Sequence, residues 1–512
     1  MKLDIVRNAR RNVLAEVLNR VLTLGLPFVS RTVFIWIIGA EYLGLNGLFT
    51  SILGVLSLAE LGFGQAIVYA MYKPVADDDK ETLCAYYAFY RVVFRIVGGL
   101  ILLFGLGLLP FLPKLVHGDA PADVDLGIVY LIHLANAVVS YFLFAYKGVL
   151  LTVHQRLDVQ THINTIVQIS QNVGSLLVLC LTRNYYYYVL VTIVFTVMSN
   201  VMVARESKRL FPDVVCRGRL SRAQTRKLLG DVGSIFLHRI GSVIAYSSDN
   251  LVVSSCLGLA SVAVYGNYYT IYKTVTNFVS TIYDSMTAGF GNAVNVETKD
   301  AVWEKFLKVN GFTLVAVSWC AAMMLALYQP FMAIWTGEKT GLMRPFSTAA
   351  LMVMFFYVNN SRQCLLVVKS ALGLWRPDQF KPVVSGAVNC AVSIGLAQVI
   401  GMDGIILGTI LAFLFIEIPW EGAVVFRSYF AGGDAQGRSF LKGYVRQQLG
   451  FLAFACALCA VTWWLTTLVP SVPNPFADFA LRGAVAAAIS GGIVFAVYRR
   501  ELLLVVQRVF RR

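Results

Sequence analysis

Arginine and lysine recur inside long apolar runs of this 512-residue chain. A charge in such a run costs at least a few kcal/mol to insert into a membrane, so it usually faces a cavity and has work there. Arg20 and Arg31 stand eleven residues apart in the first run. At the helical angle they face the same way, about 16 Å apart. Arg91 and Arg95 are an i,i+4 pair in the third run, and their like charges repel unless something anionic lies between them. Lys147 lies late in the fourth run, Arg239 in the seventh, Lys273 in the eighth, and Arg362 and Lys369 in the tenth. The acids are fewer: Glu16, Glu60, Asp249, Asp284, Glu417 and Glu421. Some cations therefore pair internally, with Arg20 to Glu60 or Glu16 as one pairing, and the excess leaves a basic cleft. Arginine suits phosphate because its planar fork offers two parallel donors. Arg20, Arg31, Arg91, Arg95, Lys147, Arg239 and Arg362 are the candidate anion-binding set. Glu60 and Asp249, the latter beside Asn250, are candidates for a coupling cation or proton, or for internal pairing.

Position within the runs sorts these residues. Arg20, Arg31 and Arg239 sit deep, which favours a cavity. Arg91 and Lys147 lie near enough to a run's end to snorkel to the interface, and Lys273 and Lys369 are open in the same way. His133 and His238 have no second His or Cys at ligand spacing and read as packing residues, so no metal is expected. The nine cysteines lie far apart, with Cys456 and Cys459 one helical turn from each other, a packing spacing. Four consecutive tyrosines, Tyr185 to Tyr188, read as an interfacial belt. Tyr265, Tyr268, Tyr269 and Tyr272 around Asn267 suit sugar or headgroup contact, or packing. No Walker A loop, GxSxG or HExxH occurs, so neither an enzyme nor a cofactor is expected. Energy then comes from a gradient, the membrane potential or mass action.

The elements that hold these residues follow from composition. The chain is 58% hydrophobic and 14% charged, against about 45–50% and about 25% for soluble domains. Its net charge of +15 would suggest nucleic-acid binding in a soluble chain, but cytoplasmic loops of membrane proteins collect Lys and Arg, and no nucleic-acid partner is expected. The first apolar run is too long for a cleavable signal and leads straight into a second. Runs long enough to span a bilayer number about fourteen. They lie near 13–38, 42–72, 84–110, 126–152, 160–182, 185–204, 233–256, 261–290, 306–329, 346–370, 380–400, 403–426, 447–470 and 476–498. About 29 Lys and Arg fall on one set of loops and the termini, and about four (Lys114, Arg183, Lys339, Arg344) on the other. Both termini are therefore expected in the cytoplasm. Residues 1–12, with Leu3, Ile5 and Val6 among basic residues, either lie along the anionic inner leaflet or are simply solvated.

An internal duplication organises the spans. At an offset of 219, Leu18-Asn19-Arg20-Val21 meets Leu237-His238-Arg239-Ile240, Gly39 meets Gly258, and Gly47 meets Gly266. At a slightly larger offset, Gly62-Phe63-Gly64-Gln65-Ala66 meets Gly289-Phe290-Gly291-Asn292-Ala293. Lys147 and Lys369 each fall late in the fourth helix of their set. The expected fold is thus an all-α integral membrane protein of about fourteen transmembrane helices, built as two pseudo-symmetric six-helix lobes plus two C-terminal helices. The expected divisions are a basic lead-in 1–12, an N-lobe 13–204, a basic linker 205–232, a C-lobe 233–426, a loop 427–446, two helices over 447–498 and a basic tail 499–512. Two parallel repeats around a cleft form a transporter plan. The paired glycines permit either hinging or plain close packing.

The stretch Ser30-Arg31-Thr32-Val33-Phe34-Ile35, then Leu43-Gly44-Leu45-Asn46-Gly47-Leu48-Phe49, Leu56 to Gly64 and Ala70-Met71-Tyr72-Lys73-Pro74 resembles the opening of bacterial Wzx-type polysaccharide flippases of the MOP (MATE-like) exporter superfamily. Ile240-Gly241, Asp249 to Ser254 and Val264-Tyr265-Gly266-Asn267-Tyr268 resemble that family's seventh and eighth helices. The resemblance implies two lobes in a V that alternate around a cationic cavity in the bacterial cytoplasmic membrane. It also implies a polyprenyl-pyrophosphate-linked oligosaccharide as substrate, membrane lipids as surroundings, and a polysaccharide polymerase and glycosyltransferases as partners. Buried arginine suits the pyrophosphate, and a fixed site with alternating access offsets the cost of dehydrating it. The remaining alternatives are a lipid II flippase of the MurJ type, a MATE drug exporter, for which more acidic lobes are expected, and a non-transporting scaffold of an assembly complex.

Overall fold

The structure, a computed structural model, describes residues 25–57, 63–115, 121, 123–226, 228, 249–337, 342–374, 376–430 and 435–510. Every regular element among them is helical. Hydrocarbon offers no partner for a free peptide group, and a helix satisfies each one within its own segment. Two compact units result, 1–266 and 267–512.

The first unit holds α1 (Leu26–Ile38), α2 (Ala40–Leu56), α3 (Phe63–Ala76), α4 (Lys80–Leu108), α5 (Leu126–Phe142), α6 (Gly148–Val153), α7 (Leu157–Thr182) and α8 (Tyr185–Leu210). A further helical stretch covers 249–257. α9 (Leu259–Val296) starts in the first unit and ends in the second. The second unit continues with α10 (Lys299–Thr336), α11 (Phe346–Ser361), α12 (Gln363–Ala371), α13 (Lys381–Ile400), α14 (Met402–Ala412), α15 (Ile418–Val425), α16 (Ala435–Thr467) and α17 (Pro475–Phe510). Among the described residues nine helices are long and apolar enough to cross a membrane. A tenth span forms if α5 and α6, bent by 44° at a short break, count as one. These ten are the predicted third to sixth and ninth to fourteenth spans. Predicted spans 1, 2 and 7 lie partly outside the described residues.

Capping residues close the turns between spans. Asp79 accepts from the Thr82 amide, Asp125 from Ile128 and Asn184 from Tyr186, each satisfying an amide that the first helical turn leaves open. Gly39 and Gly258, matched by the internal repeat, both take positive φ (105° and 83°) where one helix stops and the next starts. A side chain is strained there, so the repeat has kept a backbone requirement. Helices also outrun their apolar runs. α10 begins at Lys299, capped by Thr298, and α16 begins at Ala435, inside the stretch predicted as a loop. Charged residues end an apolar run without ending a helix, and Lys308 pairs with Glu304 one turn away on α10.

A continuous aliphatic and aromatic core fills the first unit, with Leu45, Leu48, Phe49, Ile67, Met71 and Tyr130 essentially inaccessible. In the second unit a smaller cluster of Val315, Ala322, Leu458 and Val494 seats α16 and α17 against α10, and Cys459 packs beside it.

A neutral cleft and a buried charge cluster

In the first unit the described candidate cations lie on α1, on α4 and in the turn before α6. Arg31 on α1 donates through Nη2 to the Ala263 carbonyl of α9 at 3.3 Å. That approach needs a bare residue opposite: a Cβ on Gly266 would sit 2.6 Å from the same nitrogen. α2 also meets the start of α9 at a glycine, where a Cβ on Gly44 would stand 2.1 Å from the Leu259 carbonyl oxygen. Asp249 is buried and accepts a 2.7 Å hydrogen bond from Tyr265, while Asn250 donates to Ser51. Arg91 is half-buried and Arg95, one turn on, is exposed. Lys147 is half-buried just past the break between α5 and α6, its ammonium 4.6 Å above the Phe144 ring. Phe144 takes φ +45° at that break. The linker returns to this end of the unit, with Val215 donating to Cys84 Sγ and Cys216 reaching the Tyr87 carbonyl. Arg91 and Lys147 both lie near enough to act on the Cys216 thiol, yet burial outweighs them and pushes that thiol up.

Beside this break lies a cleft of about 730 Å³ between α3, α4, α5, α6 and the start of α7. Tyr90, Phe94 and Tyr141 form its buried wall, with ring centroids 4.6 and 5.4 Å apart in sequence. Tyr69 and Tyr72 stand on its rim at 77% and 42% exposure. Small residues (Gly64, Ala137, Ala145 and Gly148) leave the space, and Gln160 reaches in from α7.

The second unit holds a different arrangement. α11 stops at Arg362 and α12 starts after it, which turns the guanidinium inward. Its Nη1 lies 2.9 Å from Glu417 and 2.5 Å from Glu421, and its plane rests 4.6 Å from the Phe413 ring. Lys381, at the start of α13, bonds Glu417 at 2.7 Å and also pairs with Glu421. Asp378, in the loop before α13, pairs with Lys369 and lies 3.7 Å from Lys381. Three cations and three carboxylates are all at most 5% exposed. A π-turn over Phe413–Glu417 leads into α15, where Pro419 lacks the amide that a regular α-helix would use. Glu417 and Glu421, four residues apart, thereby share one face. Taking six charges out of water costs several kcal/mol each, so the network stands because each charge meets its opposite and a hydrogen bond.

The predicted site residues are therefore distributed as follows. Arg31, Arg91, Arg95, Lys147 and Asp249 lie in the first unit, and Arg362 in the charge cluster of the second. Arg20, Arg239, His238, Glu16 and Glu60 lie outside the described residues, as does the Asp284 side chain. Sequence reasoning missed Asp378 and Lys381 as partners, since one stands in the turn before α13 and the other at its first residue, where charge is ordinary. It also missed Tyr69, Tyr72 and Gln160. Tyr265, Tyr268 and Tyr272 are buried, with Tyr268 accepting from the Arg344 amide and Tyr272 from Asn359, and so serve as packing. Of the four consecutive tyrosines, Tyr187 is exposed, while Tyr185 and Tyr188 pack on Phe34.

Comparison with known proteins follows the fold. The lipid II flippase MurJ in an inward closed conformation is similar with a TM-score of 0.66 and 14% identity, over 95% of this chain and 98% of that one. An inward-facing multidrug resistance MATE transporter of the MOP superfamily gives 0.60 at 14% identity, over 83% and 96%. A mutant of the Vibrio cholerae MATE transporter VcmN gives 0.54 at 14% identity, over 83% and 99%. Identities this low establish a shared fold. No curated protein sequence matches the chain. Residues 9–286, more than half the chain, match the family described as "Polysaccharide biosynthesis protein". With a MOP/MATE-like helical fold and that match, the chain belongs to the polysaccharide biosynthesis protein family, multi-pass membrane flippases of the Wzx type and not enzymes.

Proposed function

We propose that the protein moves a polyprenyl-pyrophosphate-linked oligosaccharide repeat unit from the cytoplasmic to the outer leaflet of the bacterial cytoplasmic membrane. The family match over residues 9–286 carries this reading. The cation surplus supports it: a pyrophosphate needs cationic donors along its path, and Arg20, Arg31, Arg91, Arg95, Lys147 and Arg239 are the candidates. Arg362, whose Nη1 faces two carboxylates, holds α11 to α15 rather than substrate. Both termini lie in the cytoplasm, on the side that collects Lys and Arg. The lobes are 13–204 and 233–426, joined by the linker 205–232, with 447–498 as an added helix pair. Asp249 serves a coupling proton or cation, or fixes Tyr265. A polymerase and glycosyltransferases act on either side of the transport step.

Lipid II is a second candidate substrate, favoured by the likeness to MurJ across 95% of the chain. The test is a lipid analysis of cells with and without the protein, with leaflet-specific labelling of polyprenyl-pyrophosphate-linked glycans. Accumulation of a lipid-linked repeat unit on the cytoplasmic face is the expected result. Accumulation of lipid II would select the second candidate. An unchanged pool with unchanged sidedness would remove both.

A further inference from the structure

We propose that the cleft between α3, α4, α5, α6 and α7 is a binding site for a neutral sugar ring of the transported glycan, separate from the contacts to its pyrophosphate. The proposal rests on the flippase reading above. A cleft of about 730 Å³ falls within the range of small-ligand sites, about 300–1,000 Å³, and holds more than one pyranose ring. Among the described residues no charged side chain lines it, so it offers a phosphate nothing. What it offers is flat aromatic surface and hydrogen-bonding groups together. Tyr90 meets Phe94 edge to face, Phe94 packs at a tilt on Tyr141, and the three rings are fixed in place before any ligand arrives. Tyr69 and Tyr72, three residues apart on α3, stand over the opening on one helical face. A sugar's C–H face packs against such rings, while its hydroxyls need acceptors and donors at the edge.

Gln160 supplies that edge. Its Oε1 is buried and has no hydrogen-bond partner among the described residues, a cost of about 1–3 kcal/mol that a ligand hydroxyl would relieve. Ser140 and Thr152 add hydroxyls to the same lining. A prenyl chain gains nothing from these groups and would leave Gln160 as it stands. The cleft lies where α5 and α6 break at Phe144, and Gly148 and Gln160 both line it. Lys147 follows the break directly, so a pyrophosphate on this cation and a sugar in the cleft would both be held by the same interrupted helix.

The experiment uses the purified full-length protein in nanodiscs and two probes. One is the neutral oligosaccharide released by mild acid from the host's lipid-linked pool, and the other is inorganic pyrophosphate. Wild type is expected to bind the oligosaccharide. Tyr69→Ala, Tyr72→Ala and Gln160→Leu are each expected to weaken it about tenfold, with pyrophosphate affinity unchanged. Tyr72→Phe keeps the ring and is expected to keep most of the affinity. Tyr69 and Tyr72 are exposed, so their removal leaves the fold intact, and Ala137→Phe blocks the cleft by filling it. Oligosaccharide affinity unchanged in the alanine variants and in Ala137→Phe would overturn the proposal and leave Tyr69 and Tyr72 as interfacial residues. So would a wild type that binds no oligosaccharide. Either failure leaves the leaflet-sidedness result standing, whereas loss of that result removes the flippase reading itself.

Discussion

The internal repeat read from the sequence pairs Lys147 with Lys369, each late in the fourth helix of its set, and the two units treat them in opposite ways. Lys147 is half-buried, rests over a phenylalanine ring and makes no ion pair among the described residues. Lys369 is 1% exposed and locked to Asp378 within a network of six charges. Both fourth helices are interrupted nearby, one at Phe144 and one at Arg362. The interruption opens a neutral aromatic cleft in the first unit and is sealed by carboxylates in the second. A duplicated chain can thus spend one copy's charges on holding helices together and leave the other's for a ligand. Six of the seven candidate cations fall within 1–266, and the seventh, Arg362, is in the cluster.

The comparison breaks most completely if the first unit's cations prove dispensable. Arg20→Ala and Arg239→Ala are each expected to abolish export with the protein still inserted. Full export by both single variants and the double variant, read by surface-polysaccharide assay, would remove them from the mechanism. The next effect is on stability. Glu421→Ala leaves three buried cations facing two carboxylates and is expected to cost about 3–5 kcal/mol, whereas Lys147→Met costs within about 0.5 kcal/mol and acts on transport. Thermal melting in detergent compares them, and equal melting temperatures would erase the distinction between the two lysine environments.

Two glycines sharpen it further. Gly44→Ala forces a Cβ onto a backbone oxygen that cannot turn aside, and is expected to cost about 3 kcal/mol. Gly266→Ala meets only the end of Arg31, which can move, and the gain in helix propensity offsets part of the strain. Its stability is expected to change by about 1 kcal/mol or less while export falls, because Arg31 leaves Ala263. The smallest effect concerns His154, in the turn after α6, stacked 4.0 Å from Phe211. Burial holds its imidazole below the ordinary 6.5, so the unfolded state binds the proton more readily. Stability from this contact is full above pH 6.5 and declines as the pH falls below it. Melting temperatures in His154→Phe should lose that component of the pH dependence as the pH falls below 6.5.

The span positions were legible because apolar runs must be about as long as the bilayer is thick, and ten of them recur as helices, most within a few residues and two starting about two turns or more early. The repeat was legible at Gly39 and Gly258 because a positive φ tolerates few other residues. Helix ends were less so: Thr298 and Lys299 start a helix that hydropathy places later, since capping and charge pairing leave no apolar mark. The charge cluster was hidden for a different reason. Glu417 and Glu421 at i,i+4 were visible, but their partners Arg362 and Lys381 come from other helices, and Asp378 from a loop. The cleft was hidden because Tyr69, Tyr72 and Gln160 stand on helices far apart in the sequence and share no spacing that marks a site, while in the structure they line one space.

The most direct test of the central claim is transport by the purified protein alone. Proteoliposomes are loaded with a polyprenyl-pyrophosphate-linked oligosaccharide from the host, and the fraction reaching the opposite leaflet is read by a membrane-impermeant glycosidase or lectin. The account predicts transfer that requires the protein and is lost in Arg20→Ala. Sealed vesicles that hold correctly inserted protein and show no transfer above protein-free controls, with or without an imposed ion gradient, would contradict it.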